Sequence, residues 1–189
     1  MEAVLALCIV VVLVGLVVIT AGEMRERRRS GICASRLRLL NQGFRMYAAE
    51  WNGAFPRNAP QSKRYFAQES PWPAQIASYV RDRRAFRCPD DPSRTPSTLD
   101  APRGAGHVTS YPMNSAIGSF RPNLAETAKA LTYGDIETPA QTMLLADRDP
   151  WHFARSGKTT HRLGLFVDGR VVICWEEMYE RYWGQLSPE

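Results

Sequence analysis

The sequence predicts an α+β fold: one long N-terminal α-helix packed against a small antiparallel β-sheet with long loops. Three observations predict it. Residues Ala3 to Gly22 carry no charged side chain and are dominated by Leu, Val and Ile. Cys33, Leu37, Leu40, Phe44, Tyr47 and Trp51 then recur at helical steps. Near the C-terminus two apolar runs flank Asp168-Gly169, a pair that favours hairpin turns.

The first run, as a helix, reaches about 30 Å, the thickness of a bilayer hydrocarbon core. A cleaved secretory signal fits it poorly. Nothing basic precedes it, it exceeds the usual signal core of roughly 7–15 residues, and the helical pattern continues through Thr20, Ala21 and Gly22. A retained membrane helix is the expectation. Glu2 stands at its mouth. A carboxylate there is costly unless it has a partner or reaches the interface. Two readings stay open: an acid with a function, or a headgroup-level residue beside the terminal amine. Arg25, Arg27, Arg28 and Arg29 follow the span, and by the positive-inside rule alone they would put the C-terminal body in the cytoplasm.

The helix continues as an amphipathic stripe. Cys33, Leu37, Leu40, Phe44, Tyr47 and Trp51 are spaced by alternating steps of about four and three residues, and Arg36, Arg38, Asn41, Gln42, Arg45 and Glu50 fall largely off that face. Asn52-Gly53 is a strong stop, and Pro56 opposes resumption nearby. A helix of about fifty residues needs a partner for its second half. The expected division is a membrane-spanning half at 1–22, an amphipathic half at 23–52 and a globular body at 53–189.

In the body, "SPWPAQIASYVRD" predicts a short helix, with Ser70 as cap, Pro71 in the first turn and Trp72, Ile76, Tyr79 and Val80 on one face. "FRCPDDPSRTP" is loop, and Pro89 to Gly106 forms one long loop. "HVTSYPMNS" is a short strand ended by Pro112, and "LAETAKALT" a weak helix. "TMLLAD" is a strand. "LGLFV" and "RVVICW" are two strands joined by a two-residue Asp168-Gly169 turn. "EEMYERYW" is a terminal helix or tail. Trp151, Trp175, Tyr179, Tyr182 and Trp183 are expected to pack that terminal segment onto the sheet.

The chain has 189 residues and a net charge of +5, with 24 Lys+Arg against 19 Asp+Glu. No nucleic-acid motif accompanies the basic residues, so a solvated face and a juxtamembrane lipid contact account for them, with no specific nucleic acid as partner. The four cysteines, Cys8, Cys33, Cys88 and Cys174, contain no Cys-x-x-Cys pair and no tight Cys/His spacing, which argues against zinc. His107, His152 and His161 are the histidines, and Asp147, Asp149 and Asp168 lie near the last two in sequence. They could build a His–Asp base or a carboxylate calcium site. No nucleophile motif or phosphate-binding glycine loop joins them, Asp168 has a role in the turn, and Asp147 ends a strand. The expectation is a non-enzyme without a cofactor, calcium being the one ion left open.

The ordered set "MEAVLAL", "RERRR", "CASRLRLLNQGFRMYAAEWNGAFP", "FRCPDD", "TSYPMNSAIG", "ETPAQTMLLAD" and "H…LFVDGRV" resembles the type IV pilin-like proteins. More narrowly it is similar to their pseudopilin-like branch, as found in type II secretion. The resemblance covers nearly the whole chain. Each motif is weak alone, and their order carries the likeness.

That resemblance implies a pilin-like fold and a structural role. Glu2 matches the acid that pairs with the N-terminal amine of a neighbouring subunit inside the filament core. Such a pair, buried at low dielectric, would set axial register. Cys33 and Cys88 match cysteines common in the family, which implies a disulfide in an oxidising compartment. The alternative is two buried thiols. The family exports its body despite arginines after the span, because a basic leader sets orientation. That leader, with its Gly cleavage point and Phe-Thr-Leu step, does not precede Met1 here. Met1 is therefore expected to be an internal methionine of a longer sequence.

The implied partners are copies of the chain in a helical filament, a leader peptidase, an assembly ATPase and a platform protein, with membrane lipid before assembly. The implied location is the bacterial inner membrane, as a single-pass protein, and then an extracellular or periplasmic filament. The alternative function is a non-polymerising, single-pass, membrane-anchored extracytoplasmic binding domain.

Overall fold

The computed structural model describes residues 2–56, 72–92, 109–118, 131–152 and 161–183. Helix α1 (Glu2–Glu50) is one unbroken element of 49 residues. Its first half is left uncovered by the described residues: none of its most apolar 18-residue window is buried. Burial begins at Ser30 and then follows Cys33, Leu37, Leu40, Phe44 and Tyr47, the predicted stripe.

Trp51 is a correction to that stripe. It is 57% exposed. The chain leaves the helix one residue earlier, with Asn52 at φ 53° and Gly53 at φ 80°. The Gly53 N–H donates to the Ala48 carbonyl at 2.7 Å, closing the helix end. Trp51 therefore lies at the edge of the body, where it stacks on Tyr47 with ring centroids 5.5 Å apart and hydrogen-bonds the Tyr79 side chain.

Strands β1 (Met143–Ala146), β2 (His161–Phe166) and β3 (Val171–Trp175) form one sheet in the order β1-β2-β3. Both pairings are antiparallel. Side chains alternate between the two faces. Leu163 and Leu165 join the core cluster that contains the α1 stripe, while Phe166 and Cys174 face a second cluster. Helix α3 (Glu176–Trp183) covers the second cluster with Met178, Tyr179, Tyr182 and Trp183. Tyr182 meets Phe166 edge-on at 5.4 Å. Most of the C-terminal aromatics thus pack on the sheet, although Trp175 stays exposed.

Two other expectations are corrected. The hairpin loop has three residues, not two. Phe166 N–H donates to the Arg170 carbonyl, Gly169 N–H donates to the Phe166 carbonyl, and of the loop residues only Gly169 has positive φ, at 98°. A two-residue turn of the expected kind would need positive φ at Asp168 as well; a turn followed by a glycine bulge needs it only at Gly169. The "HVTSYPMNS" segment forms no strand over its described residues. It runs beside β1 with a single bridge, Met113 to Leu145. Pro112 has no N–H to give, so a regular ladder cannot extend through it.

Helix α2 (Trp72–Ile76) docks on α1 at Gly43, and Trp72 lies 5.2 Å from the Phe44 ring. A 3-10 turn (Arg83–Phe86) and two short turns, at Ser115–Gly118 and Tyr133–Asp135, complete the described body. Ser70, Pro71 and most of "LAETAKALT" lie outside the described residues.

Candidate functional site

Two features stand apart from ordinary core packing. One is the bare apolar half of α1, with Glu2 exposed in its first turn. The other is a buried polar pocket where α1 meets the body. Four chain segments build that pocket, and only the last two, carrying Asp147 and His152, are near each other in sequence.

Helix α1 supplies Glu26, Arg29, Ser30 and Cys33. Glu26 and Ser30 lie seven and three residues before Cys33, so they extend the buried stripe toward the membrane with polar side chains. The turn after Arg83–Phe86 supplies Cys88 and Asp90. The end of β1 supplies Asp147, whose N–H donates to the Leu163 carbonyl at 2.9 Å. Its carboxylate accepts the Leu163 N–H at 2.7 Å. His152 is held by a two-way backbone bridge to His161, with both N–H···O distances 3.2 Å.

The Cys33–Cys88 pair predicted from the family resemblance is a disulfide here, with Cα atoms 5.4 Å apart. It ties α1 to the loop carrying Asp90. Cys174 is buried and free in the sheet, and burial pushes its thiol up to about 11. Cys8 is free and exposed on the apolar half of α1.

His152 is fully buried and faces an acid on each side of its ring. Its Nε2 lies 3.3 Å from Asp147 Oδ2. Its Nδ1 lies 3.4 Å from Asp90 Oδ2 and 3.9 Å from Glu26 Oε1. A neutral imidazole has one donor, whereas the imidazolium has two, so this setting favours the charged ring. Burial alone would lower the His152 pKa. The Asp147 hydrogen bond and the charges of Asp147, Asp90 and Glu26 outweigh it, and the pKa is raised above 6.5. Burial pushes the Asp147 carboxyl up, and His152, the Leu163 N–H and Arg162 hold part of that rise back. Arg29 approaches Asp90 from the helix side at 3.4 Å.

The sulfur of Cys88 lies 3.5 Å from His152 Nε2. Cys33, Cys88, Asp90 and His152 each present one donor atom, and all four atoms lie within 4.8 Å of one another. Sequence spacing gave no hint of this set, because its members stand at 33, 88, 90 and 152. Asp147 and His152, candidates by sequence for a His–Asp pair, do meet, and Asp90 and Glu26 join them without a sequence motif to mark them. The signal for Glu26 was the polar continuation of the stripe.

Among the remaining sequence-predicted residues, Leu37, Leu40, Phe44 and Tyr47 lie in one core cluster. Glu2 is brought to none of them. Comparisons with protein families, with characterised proteins and with solved structures return no match for this chain.

Proposed function

We propose that the protein is a structural subunit of a pilus or pseudopilus filament, anchored in a membrane before assembly and polymerising through α1. The observation that carries this reading is the bare half of the helix. Val4, Leu7, Val10, Val12, Leu16 and Val18 are all more than half exposed. Covering one such side chain is worth roughly 1.5–3 kcal/mol, so a surface of this kind does not stay in water. Lipid would cover it first, and the same face of neighbouring copies would cover it in a filament. Charge supports the same order. The helix changes from apolar to basic at Arg25 to Arg29, where a span would leave an anionic lipid surface.

The body then acts as the decorated outer part. Its second-half stripe is fully occupied by its own sheet and turns, so the free half of the helix is the part available for copies of the chain. The reading assigns no catalytic step. His152 and Asp147 act as an ionic clamp on the helix, since both are fully buried and each is hydrogen-bonded or ion-paired within the fold.

Fractionation tests the proposal. Filaments sheared from cells, containing the full chain and seen by electron microscopy, are expected. Recovery only from detergent-solubilised membrane, as a monomer, would overturn polymerisation in favour of a simple anchor.

A further inference from the structure

We propose that the reduced chain binds one zinc-like divalent cation between Cys33, Cys88, Asp90 and His152, and that this metal and the Cys33–Cys88 disulfide are alternative states of one pocket. The inference goes beyond the filament reading and does not depend on it.

The geometry supports a four-ligand site. A tetrahedral zinc with Zn–S near 2.3 Å and Zn–N near 2.0 Å places sulfur and nitrogen roughly 3.6 Å apart. Cys88 Sγ and His152 Nε2 already stand 3.5 Å apart. The four donor atoms fit within 4.8 Å, a span that small side-chain movements can close around one ion. Breaking the disulfide releases the two sulfurs from each other, which is the movement a tetrahedron needs, since its sulfur–sulfur edge is about 3.8 Å.

The donor chemistry selects the ion. Two thiolates and an imidazole suit zinc and related borderline or soft ions. Calcium and magnesium prefer six or more oxygen ligands, and this set offers only the Asp90 carboxylate. Four protein ligands would fill the coordination shell, so the role would be structural rather than catalytic. Cys33, Cys88 and His152 are buried, and Asp90, 11% exposed at its side chain, opens the pocket to solvent. With Nε2 on the metal, the outer carboxylate facing Nδ1 would be Glu26, 3.9 Å away, as outer carboxylates orient metal-bound histidines, while Asp147 would keep the Leu163 N–H.

The redox step balances with a dithiol reductant. The disulfide takes two electrons and two protons and becomes two thiols, while the reductant becomes a disulfide. The cation then displaces both thiol protons and the imidazolium proton, which pass to buffer. Oxidation by a disulfide oxidant joins the sulfurs again, and the cation leaves, because Asp90 and His152 alone hold it weakly. In either state α1 stays fastened to the Cys88 loop.

The test uses the full chain in detergent micelles with Cys8→Ser and Cys174→Ala, so that Cys33 and Cys88 are the only thiols. After reduction with a phosphine, cobalt(II) is titrated and the sulfur-to-cobalt charge-transfer absorption is read. One equivalent is expected to saturate the band, zinc is expected to displace it, and oxidation to remove it. Asp90→Asn, at a partly exposed position, should weaken cobalt binding at least tenfold while the oxidised protein stays folded, read by circular dichroism. Absence of the band, its survival after oxidation, or unchanged affinity in Asp90→Asn would each overturn the proposal. Because the reduced chain could unfold without metal, a second reading starts from the folded oxidised protein in a dithiol redox buffer. Added zinc should shift the dithiol-to-disulfide ratio at least tenfold toward dithiol, and no shift would overturn the proposal equally.

Discussion

Replacing Gly43 by Ala tests how closely the body is docked on α1. On an exposed helix the change would help, because Ala exceeds Gly in helix propensity by about 1 kcal/mol. At Gly43 the new Cβ would stand 2.6 Å from Val80 Cγ2 and 3.4 Å from Ile76 Cδ1. Ordinary carbon contacts lie near 3.5–4.0 Å, so the valine methyl must retreat by about 1 Å. Val80 is buried and its β-branched side chain has few alternative rotamers. Overpacking of this kind typically costs about 1–3 kcal/mol, which exceeds the propensity gain. The expected net loss is about 1 kcal/mol, or a melting temperature roughly 2–4 °C lower for a chain of this size.

Gly31 provides the control, because nothing lies within 4 Å of its added Cβ. Gly31→Ala should hold or raise the melting temperature. Thermal unfolding of the detergent-solubilised full chain, followed by circular dichroism, measures both. The double variant Gly43→Ala/Val80→Ala should recover part of the combined single-variant loss, giving a coupling of roughly 0.5–2 kcal/mol. A Gly43→Ala protein that melts as high as Gly31→Ala would refute the close approach of α2 and its following turn to the helix.

Three further outcomes follow from the same packing. Cys88→Ser removes a cross-link between positions 55 residues apart; the chain-entropy relation puts its contribution at up to about 4 kcal/mol, and a melting temperature unchanged by the substitution would contradict a closed disulfide in the parent. Gly169→Ala forces a side chain onto a φ of 98° and to 2.8 Å from Asn41 Nδ2, so it should destabilise by about 1–3 kcal/mol, read by chemical denaturation. Cys174 should resist iodoacetamide in the folded protein near pH 8 and react only as pH climbs toward about 11. Its raised pKa means that the folded state holds the proton more tightly, so this group's stabilising contribution is complete below its ordinary value of 9.0 and is lost as pH rises through about 11. Mass spectrometry in a Cys8→Ser background reads the labelling, and rapid alkylation at pH 8 would count against burial of Cys174.

Local pattern carried much of the fold. The stripe from Cys33 to Tyr47 was legible because helical periodicity alone decides which face is buried. β1 and the β2–β3 pair were legible from apolar runs and the Asp168-Gly169 signal. The Trp51 error came from placing the helix end at Asn52-Gly53 when the helix closes at Glu50: spacing says which face a residue occupies, not how deeply that face is covered at the edge of the body. The hairpin loop was misjudged because Asp-Gly serves both a two-residue turn and a glycine bulge, and the pairing of Phe166 with Arg170 decides between them. The His152 pocket was nearly invisible. Its members come from α1, the Cys88 loop, the end of β1 and the stretch before β2, and no spacing rule joins positions that only tertiary packing brings together.

Glu2 carries the central claim, and its conversion to alanine tests it most directly. The side chain sits in the first turn of α1, exposed and about 45 Å along the helix from Cys33 at 1.5 Å per residue. At that distance the substitution leaves the folded body untouched. Removing a charge from an apolar helix should, if anything, ease membrane insertion. The quantity to measure is filament yield in the sheared fraction, normalised to membrane-inserted protein. If Glu2 pairs with a neighbouring subunit's N-terminus, Glu2→Ala should abolish or sharply reduce that yield while insertion holds or improves; an unchanged yield would contradict a pairing role for Glu2 in assembly.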